Sequence, residues 1–161
     1  MRLNSFSFRV RYGETDQMGV VYHGNYAQYF EMGRTEWLRA LGLTYKGMEE
    51  NGIILPVISL QAQYKKSAYY DELLTIQTHL VKTPTVKISF DYEIYNEKKE
   101  LLVTANTVLA FMDAHHQKPI KCPDYILEKI PVWALMLYTP FASRFALFNT
   151  IRQNERPQNI K

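Results

Sequence analysis

Asp16 is the residue whose surroundings first suggest chemistry. It lies in the segment Tyr12-Gly13-Glu14-Thr15-Asp16-Gln17-Met18-Gly19-Val20-Val21-Tyr22-His23-Gly24-Asn25-Tyr26, a stretch punctuated by glycine that runs into a helical pattern. A helix N-terminus presents unpaired N–H groups and a partial positive charge. A carbonyl oxygen bound there is polarised, and a carboxylate on the other side of the carbonyl can attack the carbon or activate a water. Those two parts are the minimum equipment for acyl transfer. Acidic residues near helix starts also serve as caps and dipole partners, so the loop alone leaves both roles open.

The elements that must hold this loop lie on either side of it. Phe6, Phe8, Val10 and Tyr12 alternate with Ser5, Ser7, Arg9 and Arg11, and a period of two with aromatics predicts a strand. After the loop, Tyr26, Phe30, Gly33, Trp37 and Leu41 recur on one helical face, with Glu31, Arg34, Glu36 and Arg39 mostly off it. Asn25 suits an N-cap and Gly42 a C-terminal stop. Gly33 on the apolar face implies a close approach by another backbone. Residues 53–66, 73–82, 86–95 and 101–112 are rich in β-branched and aromatic residues and read as four strands in a meander. One long helix must then cover one face of an antiparallel sheet, an α+β arrangement.

Length and composition bound the rest. A chain of 161 residues with 47% hydrophobic and 22% charged residues is a single globular domain in size and make-up. A net charge of +3 is too mild for a nucleic-acid binder. Cys122 is the single cysteine, which excludes an internal disulfide and reads as structural. The first residues contain no apolar signal core, and no run of about 18 apolar residues is present, so a cytoplasmic protein without membrane insertion is expected. Residues 1–131 form the expected domain. Residues 132–161 form an expected helical extension packed on it, with Thr139-Pro140 as its start and Phe141, Phe145 and Phe148 as its apolar stripe.

Other titratable residues receive plainer roles. Glu31 and Glu36 are expected to pair with helix arginines. Glu14 is expected to point away from Asp16. His79 is placed on a strand, with His115 and His116 in a solvated turn. Asp16, His23 and Glu14 match no metal-ligand spacing, and no metal or cofactor is expected. Lys65, Lys66, Lys82, Lys87, Lys118 and Lys121 are candidate cations for a polyanionic ligand.

The loop also carries a family signature. Tyr12, Thr15, Asp16, Gly19, Val20, Val21, Tyr22, His23 and Tyr26 follow a pattern that resembles the 4-hydroxybenzoyl-CoA thioesterase family of hotdog proteins, in its bacterial acyl-CoA thioester hydrolase branch. The likeness spans about residues 5–130 and includes the segment SAYYDELLTIQT. It implies a hotdog fold: an antiparallel sheet of about five strands wrapped around one long central helix, with sites shared in a homodimer or homotetramer. It implies that Asp16 is the catalytic carboxylate, acting as nucleophile or general base. The His23 N–H would polarise the carbonyl, and the His23 and Tyr12 side chains would orient substrate or assist proton transfer. Tyr22, Gly24 and Tyr26 would border the substrate, Ser67 would supply a hydroxyl from the partner chain, and Lys82 and Lys87 would flank a nucleotide-contacting turn. The implied activity is hydrolysis of an acyl-CoA thioester. Hydrolysis of an acyl-carrier-protein thioester, or binding of acyl thioesters without turnover, are the alternatives.

Overall fold

The computed structural model describes residues 5–131. The alternating N-terminal residues form β1 (Ser5–Arg9), and the helical pattern forms α1 (Tyr26–Ala40). A short helix α2 (Tyr45–Glu50), capped by the Thr44 hydroxyl on the Gly47 N–H at 3.0 Å, follows it. The strands β2 (Ile53–Ile54), β3 (Val57–Tyr64), β4 (Leu73–Leu80), β5 (Lys87–Tyr95), β6 (Leu101–Ala110), β7 (Met112–Asp113) and β8 (Lys118–Pro119) come next, then α3 (Asp124–Leu127).

The main sheet has five antiparallel strands in the order β1-β4-β5-β6-β3. This corrects the simple meander. β4, β5 and β6 do run as one, but β3 pairs with β6 at the far edge instead of with β4. The expected strand over 53–66 is also two strands, because Pro56 sits between them and proline cannot donate to a ladder. The first of these, β2, joins β7 and β8 in a small second sheet. The packing remains that of a hotdog: one long helix on one face of an antiparallel sheet.

α1 buries Tyr26, Tyr29, Phe30, Gly33, Arg34, Trp37 and Leu38. Its partners come from the sheet face that alternates inward, including Leu74, Ile76, Ile88, Phe90, Tyr92, Ile94, Val103 and Leu109. Gly33 lies where the helix touches β4, but the close approach expected of a backbone is made by side chains. A Cβ built there would stand 2.7 Å from Thr78 Oγ1 and 2.9 Å from Ile76 Cδ1. Gly42 ends the helix with φ +69°, a left-handed conformation that glycine adopts without Cβ strain.

Two expectations about the helix are revised. Asn25 stands at the N-cap position of α1, as expected, but its side chain makes no capping bond. Its backbone is already helical in a 3-10 turn, His23–Asn25, and its side chain donates to the Glu14 carbonyl at 2.7 Å. Arg34 is not on the solvent face. It is 3% exposed, donating to the hydroxyls of Tyr45 and Tyr92 and lying 3.4 Å from Glu31. Glu36 pairs with Arg39 as expected. Cys122 is buried, and burial pushes its thiol up to about 12, which suits a structural role. The extension over 132–161 and its phenylalanine stripe lie outside the described residues.

Candidate active site

The loop between β1 and α1 is built by a few local bonds. A 3-10 turn, Tyr12–Glu14, opens it, and a bridge between Thr15 and Val21 pinches it closed. Inside that pinch the Asp16 N–H donates to the Val20 carbonyl at 2.8 Å, and the Gly19 N–H donates to the Asp16 carbonyl at 2.9 Å. Gly19 takes φ +75°, which lets the chain reverse within four residues. The Met18 N–H donates to Asp16 Oδ1 at 2.9 Å. One carboxylate oxygen is therefore used in holding the side chain, and among the described residues Oδ2 accepts no hydrogen bond.

The segment after β3 lies beside this loop. The Val21 N–H donates to the Ala68 carbonyl at 2.9 Å, and Val20 bridges to Tyr69. Lys65 and Lys66 both donate their N–H groups to the Leu102 carbonyl. A cleft of about 250 Å³ opens between the two segments. Asp16, Met18, Val20, Val21, His23 and Tyr26 line one side; Tyr64, Lys65, Lys66 and Ser67 line the other.

His23 begins the 3-10 turn that runs into α1. Its carbonyl accepts the Tyr64 hydroxyl at 3.2 Å. The N–H groups of His23 and Gly24 have no acceptor among the described residues. They are the unpaired donors that every helix start leaves, with the helix dipole behind them. The Tyr26 ring packs edge-on to Tyr64, with centroids 5.2 Å apart. Burial, reinforced by Tyr64, pushes its hydroxyl up to about 12, so it is a neutral group in the cleft.

The expected residues divide clearly. Asp16, His23, Tyr26 and Ser67 meet in one cleft. Ser67, expected to act from a partner chain, lines the cleft of its own chain. Tyr12 is 80% exposed and packs edge-on to Tyr70 outside the cleft lining. Tyr22 packs at a tilt of 50° against the His23 ring, 4.3 Å between centroids, and its ring also covers Gly24. Lys82 and Lys87 flank the β4–β5 turn, whereas the cleft loop adjoins the start of β4. Eight residues of strand, about 26 Å at about 3.3 Å each, separate the two ends. The cations at the cleft are Lys65 and Lys66, the latter paired with Glu100. Tyr64 lines the cleft without a catalytic role having been expected of it. Its position at the end of a strand, three residues before Ser67, is the only local signal for it. Among the described residues no cluster of metal-ligating side chains is present.

A carboxylate and unpaired helix-start N–H groups therefore border one cleft of a hotdog domain. The chain belongs to the thioesterase-like superfamily, whose model matches residues 10–130, and it is a thioester hydrolase. Individual relatives agree. YneP of Bacillus subtilis (strain 168), provisionally named an acyl-CoA thioesterase, is 37% identical over 121 residues, covering 75% of this chain and 88% of YneP. The acyl-CoA thioesterase YbgC of Haemophilus influenzae is 36% identical over 124 residues, 74% of this chain and 90% of YbgC. The crystal structure of a DHNA-CoA thioesterase from Staphylococcus aureus superimposes with a TM-score of 0.73 at 34% identity, covering 98% of both chains.

Proposed function

We propose that the protein hydrolyses an acyl-CoA thioester to a carboxylic acid and CoA, with Asp16 as the working carboxylate. The observation that carries this reading is the shared cleft: Asp16 and the start of α1, with its unpaired His23 N–H, border the same space. The thioester carbonyl oxygen sits at the His23 N–H, with the Gly24 N–H beside it. Asp16 Oδ2 then either attacks the carbonyl carbon or takes a proton from a water that does so. Direct attack gives a mixed anhydride that a water opens afterwards. On either route the C–S bond breaks, the CoA sulfur leaves and gains a proton, and the acyl group departs as the acid. Charge that builds on the carbonyl oxygen meets a preorganised donor, and one such donor contributes on the order of 3 kcal/mol to the transition state. Tyr64 and Tyr26 form the apolar wall for the acyl or pantetheine chain, and Lys65 and Lys66 supply positive potential towards an anionic substrate. His23 and Ser67 orient the substrate, with Tyr12 and Tyr22 at the rim.

The names of the relatives support CoA as the carrier. The acyl group is a matter for measurement, and a panel of straight-chain and aromatic acyl-CoA esters, scored by thiol release, measures it. Hydrolysis of at least one ester is expected. Asp16→Asn, which keeps the shape and removes the charge, should lower kcat by at least about 100-fold. Equal rates for the two proteins would exclude Asp16. If acyl-CoA raises the unfolding temperature and no ester is cleaved, the protein binds acyl thioesters without turning them over. If only acyl-carrier-protein thioesters are cleaved, the carrier is corrected.

The same proposal includes a homodimer or a homotetramer made from it. Among the described residues β3 is a sheet edge with no strand on its outer side, and its Val57, Ile58, Leu60 and Tyr64 are between 43% and 52% exposed. A long apolar edge is a strand-pairing surface, and a self-complementary pairing gives a two-fold dimer.

A further inference from the structure

Asp16 and the His23 N–H can act on one carbonyl only if their separation is fixed, and Glu14, two residues before Asp16, is bonded to residues on both sides of His23. The Glu14 carbonyl accepts the Tyr22 N–H at 2.9 Å and Asn25 Nδ2 at 2.7 Å. Those bonds tie the residues flanking His23 to a point two residues before Asp16. Its carboxylate turns away from Asp16, as the spacing suggests. Oε2 accepts the Tyr29 hydroxyl at 2.9 Å and the Arg11 N–H at 2.8 Å, and Oε1 lies 3.9 Å from the Arg11 guanidinium. Tyr29 is 1% exposed and sits in the first turn of α1. Burial first, then the bond to Glu14, raises its hydroxyl well above the ordinary tyrosine range, so it remains a donor. The Glu14 side chain, 14% exposed, thus fastens the loop to the rigid body of the helix, and its backbone fastens the helix start to the loop.

We propose that Glu14 is a positioning residue for thioester hydrolysis: through its bonds to Tyr29 and Arg11 it sets the distance between the Asp16 carboxylate and the His23 N–H. The inference rests on the role given to Asp16 above. It assigns Glu14 no contact with substrate. Removing the carboxylate leaves the buried Tyr29 hydroxyl unpaired and the loop free to shift against α1. A displacement of about 1 Å at a reacting group can lower a rate about 100-fold, while the apolar contacts that set KM remain.

The test compares full-length wild type with Glu14→Ala, Glu14→Gln, Tyr29→Phe and Asp16→Asn by steady-state thiol release, each with its unfolding temperature, on an acyl-CoA that wild type cleaves. Glu14→Ala is expected to lose about 10- to 100-fold in kcat, with KM within about threefold, at temperatures where it is fully folded. Glu14→Gln should recover to within about threefold of wild type, since one amide oxygen can accept both bonds. The double variant of Glu14→Ala with Tyr29→Phe should be no slower than Glu14→Ala alone, because both remove the same link. A wild-type kcat in folded Glu14→Ala, a loss confined to KM, or a Glu14→Gln as slow as Glu14→Ala would each overturn the proposal. Should Glu14→Ala not fold, Tyr29→Phe decides: a several-fold lower kcat at unchanged KM supports the link, and an unchanged kcat overturns it. Asp16→Asn separates the two readings. If it is inactive while Glu14→Ala is fully active, only the positioning role fails; if it is fully active, the role of Asp16 itself fails.

Discussion

At the scale of single residues, the site is a small set of committed bonds. Asp16 accepts the Met18 N–H at Oδ1, which orients the carboxylate and leaves Oδ2 for the role proposed above. Two buried tyrosines, Tyr26 in the cleft and Tyr92 in the core, titrate well above the ordinary range. Tyr26 and Tyr92 are both pushed up to about 12, in each case first by burial. An unfolded tyrosine titrates near 10. Between pH 10 and 12 the folded chain therefore holds protons that the unfolded chain has released. Their contribution to stability is complete below about pH 10 and disappears as pH rises through about 12. Unfolding temperatures taken from pH 8 to 12 should fall on the alkaline side, and Tyr92→Phe should flatten that fall. A Tyr92→Phe curve parallel to wild type would show that Tyr92 does not contribute.

At the scale of elements, the position of α1 on β4 decides where the helix start lies, and Gly33 sets that position. Gly33→Ala would push a methyl into Thr78 Oγ1 and Ile76 Cδ1. Ile76 is fully buried and cannot move away freely. Overpacking of this kind costs about 1–3 kcal/mol, or a fall in Tm of roughly 2–4 °C per kcal/mol for a chain of this size. Calorimetry reads it directly, and an unchanged Tm would mean that the helix shifts at no cost. Thr44→Ala provides a milder comparison. It removes the cap of α2 from the Gly47 N–H, should cost about 1 kcal/mol, and should leave thioester hydrolysis intact because α2 is not part of the cleft lining.

At the scale of the whole molecule, the sheet is unevenly covered. Leu60, Ala62 and Tyr64 lie opposite Thr107, Ala105 and Val103, on the face that carries α1. Yet among the described residues Leu60 and Tyr64 are about half exposed, because α1 packs chiefly on β1, β4 and β5 and meets β3 at its end, where Tyr26 touches Tyr64. A second copy joined edge to edge at β3 would cover these side chains and pair the open backbone groups. Light scattering should give twice the chain mass of 18.9 kDa or a multiple of it. Replacing Ile58 and Leu60 together by Lys should reduce the mass to a single chain, since charged edges resist pairing. An assembly unaffected by that change has its interface elsewhere. Among the described residues no helix is long and apolar enough to cross a membrane.

Taken alone, the sequence determined the parts that local order encodes. The strand at Ser5–Arg9, the helix from Tyr26, the stop at Gly42, the close approach at Gly33 and the loop motif around Asp16 all follow from spacing within about fifteen residues. Glu14 pointing away from Asp16 was legible for the same reason. What joins distant segments was not. β3 could have paired with β4, its neighbour in the chain, but pairs with β6; strand pairing depends on which surfaces bury each other, not on order along the chain. That choice brings Tyr64, Lys65, Lys66 and Ser67 against Asp16 and leaves Lys82 and Lys87 at the other end of β4. Arg34 shows the same limit. Its place in the helical pattern reads as solvent-facing, and only the hydroxyls of Tyr45 and Tyr92, brought in from elsewhere, make it a buried residue. The carboxylate of the site was therefore written in one loop, but the wall and the cations facing it were decided by tertiary packing, because contacts between segments depend on the whole chain.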